Sequence, residues 1–363
     1  MSVKKYLRQN RSLWICAILL VVVIKIFSLN KNWVEELYTS KFYFFFSKFL
    51  RFLFGWIPFS LGDLLYLIAG CWLLWKLIKN IRLLFQKRLT GKMVVVKCLN
   101  LMLALTFAYI IFNIFWGINY NRKGIANQLA LIGMRYDTSD LIMLQQVLLQ
   151  KVNSSKSAVM LANEKYPSKS AMFQKAEDSY KEVQKIYPFL RLNNLSVKPS
   201  LYSMLGNYLG FTGYYNPFTG EGQVNTTVPK FLQPYITTHE MAHQLGYAKE
   251  NEANFVGYLA AVNSPDSLFH YSAYFELFLY ANREVYYFDS VASKRSIALL
   301  SPEIKEDIIE LKKFDLAHTS FVEPWITWMY GKYLKLNQQP QGMRSYNAVV
   351  GMLIAYYKKY GKI

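Results

Sequence analysis

"TTHEMAHQLGYAKENEANF", residues 237–255, holds two of the chain's four histidines, His239 and His243, four positions apart around Glu240. In a helix, residues i and i+4 share one face, so both imidazoles are presented to a single point. Glu240 is turned about 100° from His239 and stands beside that point. If the helix ran unbroken past His243, Glu250 would lie about 10 Å further along the axis, out of reach of a shared ion. Gly246 resolves the conflict. A glycine just past the histidines ends a helix in the left-handed conformation and lets the chain reverse. A second helix starting near Glu250 then carries a carboxylate, Glu250 or Glu252, back over the histidines.

Two imidazoles, a returning carboxylate and a further acid at their side make a set suited to hydrolytic zinc. Such sites use three protein ligands and keep one position open for water. The metal brings that water's pKa to about 7, and a neighbouring carboxylate takes the proton. Zn2+ is therefore the expected cofactor. The three cysteines, Cys16, Cys71 and Cys98, all lie in the apolar first third. That placement excludes thiolate ligands, a cysteine nucleophile and a disulfide framework from the polar part.

"HEMAH" followed by "ENEANF" resembles the gluzincin metallopeptidases, in which HExxH is completed by a Glu from a following helix. The wider arrangement resembles an uncharacterised bacterial family of membrane-anchored proteins: three apolar spans, then "FWGINYNR", "GYYNPFTGEGQVN" and the motif. The resemblance implies a zincin-like domain with His239 and His243 as ligands and Glu240 as general base. It implies Glu250 as third ligand, because Ala253 and Asn254 stand three and four residues after it. Asn254 replaces the Asp that usually orients a ligand histidine. The rival, Glu252, points about 200° away from Glu250 on a helix, with Val256 in the supporting position.

Hydrophobic residues make up 53% of the 363-residue chain, and they concentrate before about residue 120. Three segments there, 13–29, 61–78 and 94–118, approach or exceed the roughly 20 residues needed to cross a bilayer. The formal net charge is +19, but the bases flank the apolar runs. Lys4, Lys5, Arg8 and Arg11 precede the first span; Lys79, Arg82, Lys87, Arg88 and Lys92 separate the second from the third. Neither cluster contains an acid, so both are expected in the cytoplasm. A multi-pass membrane protein follows, with the lipid bilayer as partner and the polar domain on the extracytoplasmic side; the resemblance implies that the membrane is a bacterial inner membrane. No zinc-finger spacing or phosphate loop accompanies the charge, which argues against nucleic acid. The run "FYFFFSKFLRFLFGWIPF" (42–59) carries Lys48 and Arg51 among aromatics and reads as an interfacial or re-entrant helix.

The expected fold is mainly α: a three-helix transmembrane region over 1–120, then a zincin-like α+β domain over 121–363 with a small sheet. Helical periodicity marks 138–152, with Thr138 and Ser139 as caps, and also 172–187, 269–287, 301–313, 323–336 and 344–360. Segment 195–229 is punctuated by glycines and reads as two or three short strands with hairpins. Either 223–228 or 211–215 would be the edge that holds an extended peptide. Tyr214, Tyr215, His270 and His318 are the candidates for stabilising a tetrahedral intermediate. The leading expectation is a membrane-anchored zinc metallopeptidase acting on a peptide or protein. The alternative is a catalytically inactive, zinc-binding scaffold or sensor tethered to the membrane.

Overall fold

A computed structural model describes every residue except Met1, Arg88, Glu164, Leu192, Asn193, Tyr346 and Asn347. Arg88 of the basic cluster therefore lies outside the described residues. The chain is mainly helical and divides into two compact units: Met1–Phe45 with Leu61–Arg122, and Phe46–Ser60 with Lys123–Ile363.

Among the described residues, the first unit contains three helices long and apolar enough to cross a membrane: Arg11–Leu29, Leu61–Phe85 and Gly91–Phe115, with mean hydropathies of 2.6, 1.6 and 2.1. Only 11% of each apolar window is buried within the protein, which leaves their apolar side chains free to meet lipid. The third ends at Phe115, short of Ile118. Trp116 leaves helical geometry at φ −154° and ψ −50°, and Gly117–Asn121 tightens into a 3-10 turn. Two contacts pin that turn. Thr39 Oγ1 donates to Asn119 Oδ1 at 3.0 Å, and Arg122 pairs with Glu35 at 2.7 Å. Between the first two spans, Val34–Tyr43 winds as a π-helix and Phe44–Phe54 as an α-helix. The two continue one helical run from Lys31, but Glu35, Glu36, Lys41, Lys48 and Arg51 set it apart from the three apolar helices.

The second unit is built around helices Thr138–Ala162 and Ser267–Tyr286, which pack along their length. Leu144, Leu148, Val152, Phe269, Phe275 and Phe278 are sealed between or beside them. Burying each such side chain contributes about 1.5–3 kcal/mol. The first of these helices is capped one residue earlier than expected. Asp137, not Thr138 or Ser139, accepts from the Asp140 amide, and Asp140 returns the bond in a capping box.

The sheet has three strands, β1 (Val197–Pro199), β2 (Gly213–Asn216) and β3 (Glu221–Val224), in the order β1-β3-β2. β1 runs parallel to β3, and β2 antiparallel to it with Gly213 opposite Val224. β3 is therefore the central strand and fully buried, which corrects the reading of 223–228 as an edge. The outer strand near the motif is β2. Within the same stretch Ser203–Leu209 is a helix rather than a strand, ended by Gly210 in the left-handed conformation at φ 78°. Met204, Leu205 and Tyr208 share one side of it, a helical spacing that the glycines had masked. Ser290–Ala298 is a further helix that the sequence pattern did not mark.

Candidate metal centre

The motif helix runs Gln233–Gln244, and every residue of it is buried or nearly so. Pro234 sits in its first turn, where a missing N–H costs nothing. It stops where the sequence requires: Gly246 takes φ 83°, and its amide donates to the His243 carbonyl at 2.9 Å. The chain turns, and a second helix, Glu250–Val262, begins at Glu250. The two helices lie close enough that a Cβ on Gly257 would sit 3.0 Å from His239 Cα and N. Any larger residue there would push the helices apart at the first histidine.

This crossing brings His239, His243 and Glu250 into one group whose ligand atoms all lie within 4.8 Å of one another, a group that could hold a metal ion. Glu250 Oε2 is 3.3 Å from His239 Nε2 and 3.6 Å from His243 Nε2. The rings stand edge to face at 88°, and both Nε2 atoms face the same carboxylate oxygen. His243 Nδ1 is 2.7 Å from the Tyr247 carbonyl. That contact makes Nδ1 the donor and leaves Nε2 to face the group. Asn254 lies close enough to raise the proton affinity of His239. It does not close a hydrogen bond to Nδ1, which is buried without a partner.

Glu250 is held on both sides. Its amide donates to Gln339 Oε1 at 3.0 Å, and its Oε1 accepts from the Tyr330 hydroxyl at 2.8 Å. Glu252 points elsewhere. It packs against Gly124, where a Cβ would collide with its carboxylate, and lies 3.6 Å from Lys249 Nζ. Glu240 stands beside the group under the sheet. A Cβ on Gly213 would collide with its carboxylate, and one on Gly222 would come within 3.2 Å of its Cβ. Its Oε2 is buried without a partner.

The electrostatics follow from this burial. Burial pushes the Glu240 carboxyl up to about 8, with the adjacent Glu250 charge adding to the effect. Burial alone would lower His243, but the hydrogen bond and charge of Glu250 outweigh it and raise the imidazole to about 9. Burial works against the charge on Glu250 too, yet the two imidazoles hold it well below the usual carboxylate range. His239 is lowered, chiefly by burial. Without a metal, Glu250 thus stays ionised and is paired with a protonated His243, whose proton a bound cation would have to replace.

The other sequence candidates lie outside this group. Tyr214, on β2, shares a 2.7 Å hydrogen bond with Ser200, and Tyr215 follows it on the same strand. His270 Nε2 lies 2.8 Å from the Ser264 carbonyl and lines a 420 Å³ hollow that contains none of His239, His243 and Glu250. His318 packs between Phe314 and Tyr208 and approaches Asn207 at 3.4 Å. The residues that sequence reasoning missed are Tyr330 and Gln339. Both lie some 80 to 90 positions downstream of Glu250, and no local pattern links them to it.

A mainly helical chain with three membrane-length helices and a buried His-His-Glu group able to hold a metal is the class that fold and site define. Residues 38–354 match the family described as "Protein of unknown function (DUF3810)", and the chain belongs to that family. No curated protein and no solved structure matches it.

Proposed function

We propose that the chain is a membrane-anchored zinc peptidase with a zincin-like catalytic domain. The observation that carries this reading is the division of labour around the motif helix. Two imidazoles and Glu250 converge on one point, while Glu240 stands next to them, buried and bound to none of them. The donor set fits zinc: two imidazole nitrogens, neutral once a metal replaces the proton held there, and one carboxylate oxygen. When held there, zinc supplies Lewis acidity and a water activated near neutral pH.

The chain's own residues would do the rest. Glu240 takes the proton from the attacking water and delivers it to the leaving amine; its raised proton affinity suits both transfers. Gly213 lets β2 lie directly over Glu240, so a peptide laid along this outer strand would pass the general base. Tyr330 and Gln339 hold Glu250 in place. The basic clusters around the spans favour a membrane orientation with this domain on the extracytoplasmic side, and the resemblance to a bacterial family suggests a bacterial inner membrane.

One observation favours the second reading, a non-catalytic metal-bearing scaffold: Glu240 and Glu250 are only 3% and 5% exposed, as enclosed as a structural site would be. Incubating the purified full chain with a peptide library, with and without a chelator and added zinc, separates the two. Cleavage that zinc restores supports the peptidase. A chain that binds one zinc and cleaves nothing supports the scaffold.

A further inference from the structure

The chain between the first two spans reaches the metal centre. Residues Phe46–Ser60 group with the second unit, although their sequence neighbours on both sides belong to the first. Helix Phe44–Phe54 has two unlike faces. Phe45, Phe49 and Phe52 are exposed, whereas Ser47, Leu50 and Arg51 are buried. The inner face lies under Gly220, whose Cβ would sit 3.2 Å from the Arg51 stem. Three further ties hold the segment down. Lys198 Nζ donates to the Gly55 carbonyl at 2.6 Å and to that of Ile57, and Gln223 and Ser60 join side chains at 3.0 Å.

Arg51 is 4% exposed. Its Nε donates to the Asn194 carbonyl at 2.8 Å and its Nη1 to the Gln244 carbonyl at 3.4 Å. Gln244 is the last residue of the motif helix, directly after His243. The final carbonyls of a helix have no partner within it and carry its negative end. A buried guanidinium placed there satisfies both needs. The Gln244 side chain adds a second anchor through Nε2 to the Ser196 carbonyl at 2.8 Å.

We propose that Arg51 is a positioning residue of the metal centre. It clamps the C-terminal end of the motif helix and so fixes His243, and the segment between the first two spans becomes part of the site. The proposal rests on the reading of His239, His243 and Glu250 as metal ligands. Without Arg51, the buried Gln244 carbonyl loses this charged donor and the helix end frays from Gln244 back toward the second histidine.

The test uses the full chain in detergent, as wild type, Arg51→Met and Arg51→Lys. Zinc affinity is read by chelator competition, and amide hydrogen exchange at Leu245 and Gly246 is followed in the metal-free chain. Arg51→Met should weaken zinc binding by about tenfold or more, the usual effect of losing a group that supports a ligand. It should also speed exchange at both amides, and Arg51→Lys should recover part of each. Unchanged affinity and exchange in Arg51→Met would overturn the proposal. A wild-type chain that takes up no zinc would refute the metal reading instead, leaving the exchange result to judge Arg51 by itself. If Arg51→Met does not fold, Lys198→Met loosens the same segment from its far end. It should shift both readouts the same way by less, and no shift would count against the clamp.

Discussion

The Tyr330 hydroxyl donates to Glu250 Oε1 at 2.8 Å, while the other carboxylate oxygen faces both imidazoles. Tyr330 comes from helix Glu323–Leu336 and fixes how Glu250 is presented: one oxygen for the shared point, one for the phenol. Tyr330→Phe keeps the ring and removes the donor. It should lower zinc affinity by about tenfold, as loss of a ligand's hydrogen-bonded support does, with little change in melting temperature. Chelator competition beside thermal denaturation checks it; full affinity in Tyr330→Phe would mean that the hydroxyl does not orient the ligand.

The two acids of "ENE" should separate cleanly. Glu250→Ala removes the carboxylate that faces both imidazoles and should abolish tight zinc binding. Glu252→Ala should leave affinity nearly intact, because its carboxylate packs on Gly124 and Lys249. Its cost should appear as stability, from the space opened beneath the Gly124 loop. Zinc stoichiometry and melting curves of both variants decide the matter. An experimental structure with zinc bonded to Glu252 would reverse the assignment.

Glu240 makes a prediction that needs no metal. Burial lifts its carboxyl to about 8 in the folded chain, against 4.5 for the free group. A raised carboxyl favours the fold while protonated. Its contribution is complete below the unfolded value and is lost as the pH climbs through the folded one. Glu240→Gln stays neutral throughout. The metal-stripped variant should therefore gain stability over wild type between about pH 5 and about pH 9. An equal melting offset at both ends of that range would contradict the raised carboxyl.

The spans imply a sidedness. With acid-free basic clusters before the first span and between the second and third, a C-terminal reporter that works only in the cytoplasm should be silent. An active reporter would put the domain after residue 122 on the cytoplasmic side.

How far the sequence could be read depended on whether a feature is local. His239, Glu240 and His243 are legible because helix geometry alone puts them together, and Gly246 is legible because only a helix end needs it there. The spans are legible from length and hydropathy. Pairing between distant segments is not. β3 became the central strand through partners at 197–199 and 213–216, which no pattern within 223–228 announces. Tyr330 reaches Glu250 from a helix whose own periodicity says nothing of a metal. Arg51 was concealed more deeply. Inside an aromatic run, a lone arginine reads as an interfacial charge, and only the folded chain puts its guanidinium at the end of the motif helix.

The central claim is tested most directly by one comparison: the zinc-loaded full chain and its Glu240→Gln variant on the same peptide library, with bound zinc measured in each. Glu240 is not one of the three residues, His239, His243 and Glu250, whose ligand atoms share one point, so the variant should keep one zinc and lose cleavage altogether. Retained cleavage in Glu240→Gln, or zinc lost together with activity, would contradict its role as the proton-transferring base.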